Sequence, residues 1–315
     1  MLNTPILLIF FNRPDTFQQV FDVIKKVQPA KLYLAQDGPR NEGDAENIAK
    51  CRAIASDIDW ECEVNTNYSD VNLGCGMRPQ TAISWALEKE ESVIILEDDC
   101  VADLSFFPYC EELLEKYKND ERIAYISGLN HFEEWDFGAS SYGYTKGGAI
   151  WGWATWKRAW AKYDYSAGAI NDPYLKKLLY SHEMLAKDKI PVWERTYAAV
   201  QNNTKLSYWD IQWGLIKYAH NQLVITPKYN LIKNIGVGES STHGKHHNTK
   251  HKKYLDYNNM DTRSLTFPLV HPAHMMRDFE YDAFLCECNQ KQIRLNLVNA
   301  MKRKLKKVVF AGKNG

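Results

Sequence analysis

The 315-residue chain has no excess of charge of either sign, no disulfide or metal-finger framework, and no apolar run long enough to span a bilayer. Lys and Arg number 39 against 39 Asp and Glu, so the formal net charge is zero. A nucleic-acid binder ordinarily carries a basic excess, and none is present here. The seven cysteines, at 51, 62, 75, 100, 110, 286 and 288, are odd in number, scattered, and without a Cys-x-x-Cys pair. That usage fits a reducing cytosol, and the expected localisation is cytoplasmic. Met1 to Pro5 leads into a short apolar run with no basic region and no small-residue cleavage site, so neither a signal peptide nor a membrane anchor is expected. The chain also lacks a GxGxxG fingerprint, an internal repeat and a low-complexity linker.

What is present is organised around Ser92-Val93-Ile94-Ile95-Leu96-Glu97-Asp98-Asp99-Cys100. Four consecutive apolar residues, three of them β-branched, read as a strand buried on both faces, the kind found inside parallel sheets. Three carboxylates follow where that strand ends. Adjacent acids repel, and hard oxygen ligands at the mouth of a core strand suit Mg²⁺ or Mn²⁺. The alternative is a solvated acidic turn. Position favours the site, because ligands of open α/β sheets bind outside the carboxyl ends of the strands.

Strands are also expected at Ile6 to Phe11, Lys31 to Gln36 and Trp60 to Tyr68. Between them, Phe17, Val20, Phe21 and Ile24 recur at helical spacing after the turn Asn12-Arg13-Pro14-Asp15, a charged helix runs to about Ser56, and another covers Arg78 to Glu90. The βαβαβαβ order implies a mostly parallel sheet with helices on both faces. Phe106 to Tyr117 reads as a further helix and Ile123 to Ser127 as a strand. From about Gly128 the alternation breaks down into a Gly-, Ser- and Tyr-rich stretch and the aromatic run Trp151 to Trp156. Helices over Leu175 to Leu185, Val192 to Val200 and Trp209 to Ala219 and a strand at Leu223 to Thr226 follow. The polar segment 236–259 carries glycines at 236, 238 and 244, and loops of that length are commonly functional or disordered. A basic helix is expected over 292–310. The chain with 10 Trp and 18 Tyr is richer in these rings than a core requires.

These pieces resemble the GT-A nucleotide-sugar glycosyltransferases, and more narrowly the protein N-acetylglucosaminyltransferase I family and related bacterial enzymes. The resemblance rests on Leu8-Ile9-Phe10-Phe11-Asn12-Arg13, on Gln36-Asp37-Gly38, on Leu96-Glu97-Asp98-Asp99, and on Gly152-Trp153-Ala154-Thr155-Trp156 with Trp209-Asp210-Ile211-Gln212-Trp213. Gly236 to Gly244 is similar to the loop that closes over the donor. The family's Asp-Asp-Trp motif appears here as Asp210-Ile211-Gln212-Trp213, which leaves one carboxylate. The implied organisation is one GT-A domain over 1–275, with a nucleotide-sugar half at 1–128 and an acceptor half at 129–275, and a basic tail at 276–315.

The resemblance implies a UDP-sugar donor, a Mn²⁺ or Mg²⁺ ion on Asp99, and Glu97 and Asp98 facing ribose and donor sugar. Phe11, Asn12 and Arg13 would border the nucleotide, with Arg13 pairing phosphate or capping the base pocket. Asp37 would accept from uracil or ribose, or else serve as a turn former. Gly74 and Arg78 would approach the diphosphate, and His243 would complete the closed site. Asp210, at an expected helix N-terminus, would be the general base of an inverting transfer, or else merely a cap. Trp151, Trp153, Trp209 and Trp213 are sugar platforms or core. The acceptor would be a glycan or lipid-linked saccharide of a bacterial surface polysaccharide, with the basic tail resting on an anionic membrane face or packing on the domain. Two other classes remain open on the residues, a sugar-phosphate nucleotidyltransferase and a non-catalytic carbohydrate-binding protein.

Overall fold

The computed structural model describes residues 2–236 and 260–291. Strand β1 (Ile6–Phe10) is buried along its whole length, and helix α1 (Pro14–Val27) follows, with Pro14 in its first turn. Phe17, Val20, Phe21 and Ile24 are the buried face of α1, as their spacing predicts. Then come β2 (Lys31–Gln36), α2 (Ala45–Ala55), β3 (Glu63–Tyr68), α3 (Gly74–Lys89) and β4 (Ser92–Glu97). A short β5 (Cys100–Ala102) leads to α4 (Phe106–Lys116) and β6 (Ile123–Ser127). The second half holds β7 (Tyr142–Thr145), β8 (Trp153–Trp156), α5 (Lys157–Trp160), α6 (Pro173–His182), α7 (Ile190–Gln201), α8 (Asp210–Ala219), β9 (Leu223–Pro227) and β10 (Ile232–Asn234).

One eight-stranded sheet, in the order β3-β2-β1-β4-β8-β6-β9-β7, runs through both halves of the chain. Neighbours β3, β2, β1 and β4 are parallel; β8 and β7 run against their neighbours, and β6 and β9 are parallel to each other. The fold is therefore a Rossmann-like α/β fold with a mostly parallel sheet. Successive residues of each central strand serve opposite faces. Ile6, Leu8, Phe10, Ile94 and Leu96 pack with α1 and α4 on one side. Leu7, Ile9, Val93 and Ile95 pack with α3 and α8 on the other. A third cluster joins α6, α7 and α8 to the helical stretch 279–291 through Leu179, Trp193, Leu215, Tyr281 and Leu285.

Two differences from the sequence pattern are instructive. β7 and β8 lie where regular alternation ends, because each is four residues long and buried throughout, so neither shows a period of two. Helix α3 begins at Gly74, four residues before the expected start. Gly74 takes a φ of +79°, open to glycine at no steric cost, and a distant carboxylate caps the turn. The basic helix expected at 292–310 and His243 lie outside the described residues.

Candidate functional site

The parallel registers put three strand ends side by side. Phe10 of β1 stands opposite Gln36 of β2, and Ile9 stands opposite Glu97 of β4. The residues that follow, Phe11 to Arg13, Asp37, and Asp98 with Asp99, must therefore emerge along one edge of the sheet.

Arg13 joins two of these ends. Its guanidinium bonds Asp98 closely and Asp99 at 2.8 Å. Asp98 is buried and also accepts from the Phe11 amide at 3.1 Å. Burial pushes its carboxyl upward while Arg13 and the Phe11 amide oppose the shift. Burial likewise works against the Arg13 charge, but the two aspartates outweigh it and raise its pKa further. Glu97, half-buried and with no ion pair among the described residues, is pushed up to about 8 by burial and then by Asp99 and Asp98, with Arg13 opposing.

A two-stranded antiparallel pair completes the acidic turn. β10 pairs antiparallel with β5, Lys233 opposite Val101. The Ile235 amide donates to the Asp99 carbonyl at 2.8 Å, and Asn234 Nδ2 reaches Asp99 Oδ1 at 3.4 Å. Gly236 follows so closely that a Cβ there would sit 2.0 Å from Asp99 Oδ2 and 2.7 Å from Arg13 Nη1. The sequence marks Gly236 as a hinge; Asn234 carries no local signal, since its role comes from a pairing across more than a hundred residues.

Asp37 is buried and holds the start of α3. Its Oδ1 accepts from the amides of Gly38 (2.9 Å) and Leu73 (2.8 Å), and its Oδ2 from the Gly74 amide (2.8 Å) and Asn72 Nδ2 (3.1 Å). Four bonds match the acceptor capacity of a carboxylate, so contact with a base would require one to give way. Arg78, in the second turn of α3, is buried and donates to Asn67 on β3 through its side-chain oxygen (3.2 Å) and its carbonyl. Burial lowers its pKa, and its Nε has no partner among the described residues. Asn12 donates to Asp44 Oδ1 at 2.5 Å. Arg40 also bonds Asp44, whose carboxyl lies well below the usual range for that reason. Asp44 was not singled out by any motif.

Asp210 opens α8 and is exposed. Its charge raises Glu97 further, so the acidic strand end and the start of α8 share one electrostatic neighbourhood. Gln212, two residues on, is buried and carries no carboxylate, so Asp210 is the acid of this turn. Of the four tryptophans expected as sugar platforms or core, three are core. Trp153, Trp209 and Trp213 are buried against one another, with Trp153 and Trp209 stacked at 5.9 Å. Trp151 is half-buried.

Among the described residues no group of three or more His, Cys, Asp or Glu forms a ready cage for a metal. The oxygens at the end of β4 nonetheless suit a hard divalent ion. Mg²⁺-type ions commonly take one or two carboxylates and complete their shell with phosphate and water. Asp98 and Asp99 share the single guanidinium of Arg13, which leaves a net negative turn. No helix among the described residues is long and apolar enough to cross a membrane.

No family model and no curated protein sequence matches the chain. Among solved structures, an active-site mutant of LgtC aligns at 11% identity over 70% of this chain and 72% of its own, with a TM-score of 0.37. UDP-glucose pyrophosphorylase complexed with UDP-glucose aligns at 11% identity over 73% and 92%, with a TM-score of 0.35. Its apo form aligns at 10% identity over 73% and 93%, with a TM-score of 0.34. Values this low leave the functional reading to the residues of the site.

Proposed function

We propose that the chain is a metal-dependent, inverting glycosyltransferase of GT-A type that moves a sugar from a UDP-sugar to a hydroxyl of a glycan or lipid-linked acceptor in bacterial surface polysaccharide synthesis. One observation carries the reading: the acids ending β4 are clamped through Arg13 to the end of β1, at the carboxyl edge of the parallel strands.

In this reading Asp99 would hold Mn²⁺ or Mg²⁺, with Glu97 facing the ribose or the donor sugar. The ion supplies charge neutralisation for the departing nucleoside diphosphate. Asp98 is committed to Arg13 and the Phe11 amide, so its work is to fix the turn that presents its neighbours. Arg13, at the same edge as these acids, would pair with the phosphates or cap the base pocket. Asp210 accepts the proton of the acceptor hydroxyl, and its place in the first turn of α8 favours the ionised form that such a base requires. A base opposite the leaving group gives a single displacement, so an α-linked donor yields a β-linked product.

Thermal unfolding with UDP, several UDP-sugars and Mn²⁺ tests the reading. Stabilisation by UDP only with metal, lost in Asp99→Ala and kept in Asp210→Asn while transfer ceases, is the expected pattern. Turnover of a sugar phosphate with a nucleoside triphosphate would replace the transferase with a nucleotidyltransferase. Glycan binding with no nucleotide response would leave a binding protein.

A further inference from the structure

Away from the acidic turn, the described residues enclose a cavity of about 410 Å³ walled by His131, Lys146, Lys189 and Lys217, with Gly147 and Leu285 between them. Lys146 follows β7, Lys189 precedes α7 and Lys217 lies on α8, so three distant segments each deliver an ammonium to one space. Lys146 and Lys217 are buried, and Lys189 is exposed at the surface.

Buried charges are ordinarily paired. None of these three lysines has a carboxylate within ion-pair distance among the described residues, although Asp188 also lines the cavity. Lys146 Nζ donates to Asn221 Oδ1 at 2.8 Å and Lys217 Nζ to the Lys146 carbonyl, while each ammonium has three hydrogens to give. The other acids nearby are already engaged. Asp282 accepts from the Lys146 and Gly147 amides and from Arg277 at 2.6 Å, and Glu183 pairs with Arg277 at 2.9 Å. The strain of this arrangement is visible in the ionisation of the groups. Burial, then Lys189 and Lys146, pulls Lys217 well below its ordinary value; burial brings Lys146 down to about 8; burial and the lysines push His131 down to about 3.

Position connects the cavity to chemistry. Lys217 is seven residues beyond Asp210, two turns along the same face of α8 and about 10 Å away. Asp210 is also felt by Lys189. Asp210 does not itself line the cavity, but the start of α8 lies within about two helical turns of the cavity's lysine on that helix.

We propose that this cavity receives an anionic group of the acceptor, a phosphate or carboxylate carried on the saccharide, an assignment that rests on the transferase reading above. The anion supplies the counter-charge that buried Lys146 and Lys217 lack, with Lys189 reaching it from the exposed rim, and sets the acceptor hydroxyl toward Asp210. Neutral saccharides forgo this interaction, so the acceptor class is acidic.

The test is thermal unfolding of wild type, Lys189→Ala and Lys217→Met with inorganic phosphate, glucose 6-phosphate, glucuronate and glucose at constant ionic strength, beside UDP with Mn²⁺. The anions are expected to stabilise wild type and glucose to have no effect. Apparent anion affinity is expected to fall at least tenfold in both variants while the UDP response is kept. Lys189→Ala changes an exposed side chain, so it reports even if the buried substitution disturbs folding. Preference between glucose 6-phosphate and glucuronate identifies the group. Equal anion responses in all three proteins, or none in wild type, overturn the proposal. An anion response that depends on these lysines without any UDP response upholds the anion site and overturns the transferase reading.

Discussion

Replacing Gly236 by alanine tests the acidic turn most sharply. The added methyl would stand 2.0 Å from Asp99 Oδ2 and 2.7 Å from Arg13 Nη1. Non-bonded carbon and oxygen settle at roughly 3.5 Å, so the carboxylate must retreat by about 1 Å or more. It is not free to swing, because Arg13 holds it at 2.8 Å and Asn234 and Cys100 each reach it at 3.4 Å. The backbone at 236 lies outside the left-handed region, so alanine meets no conformational penalty there. Displacing a metal ligand by ~1 Å is expected to cost metal affinity on the order of a hundredfold, the upper end of what changes around a ligand cost. In thermal unfolding, UDP with Mn²⁺ at about 100 times the wild-type dissociation constant should add roughly 2.7 kcal/mol to wild type. After a hundredfold loss of affinity the same concentration should add only about 0.4 kcal/mol. The unliganded variant should unfold within a few degrees of wild type. An undiminished UDP and Mn²⁺ response in Gly236→Ala would refute the placement of Asp99 at the donor.

Other substitutions separate structural from binding roles. Asp37→Ala should cost about 2–3 kcal/mol in urea unfolding, since it strips the cap from α3 and leaves amides near the sheet edge without acceptors; a loss of UDP affinity at unchanged stability would contradict that role. Arg13→Met should destabilise by about 2–3 kcal/mol by leaving the buried Asp98 charge to the Phe11 amide alone, the lower end reflecting the partly exposed arginine. A change below about 0.5 kcal/mol would show that Asp98 is protonated without its partner. Lys146 binds its proton less readily folded, at about 8, than unfolded, at 10.5. Its burial penalty is full below pH 8 and fades toward pH 10.5, so wild type should gain on Lys146→Met by roughly 3 kcal/mol across that window. A constant difference from pH 7 to 10 would refute the depressed lysine.

Much of the first half of the sheet is written locally. The four apolar residues Val93 to Leu96 define β4 by themselves, and Phe17, Val20, Phe21 and Ile24 define the buried face of α1, because a strand or helix interior is set by neighbours a few residues away. The place of the acids at the end of β4 follows from the same pattern. For Trp153 and Trp213 the sequence left platform and core both open, since composition does not say which rings face each other across a sheet and a helix.

The sequence by itself determined the strand–helix order of the first half and the edge at which Glu97, Asp98 and Asp99 emerge. Only the tertiary structure decided how the charges there are used: that Arg13 clamps Asp98, that Asp37 caps a helix beginning at Gly74, and that Asn234 and Gly236 close on Asp99. The lysine cavity is the extreme case, built from residues 146, 189 and 217 on separate segments. Periodicity reports which side of an element is buried; whether a buried charge finds a partner depends on groups brought together from far along the chain.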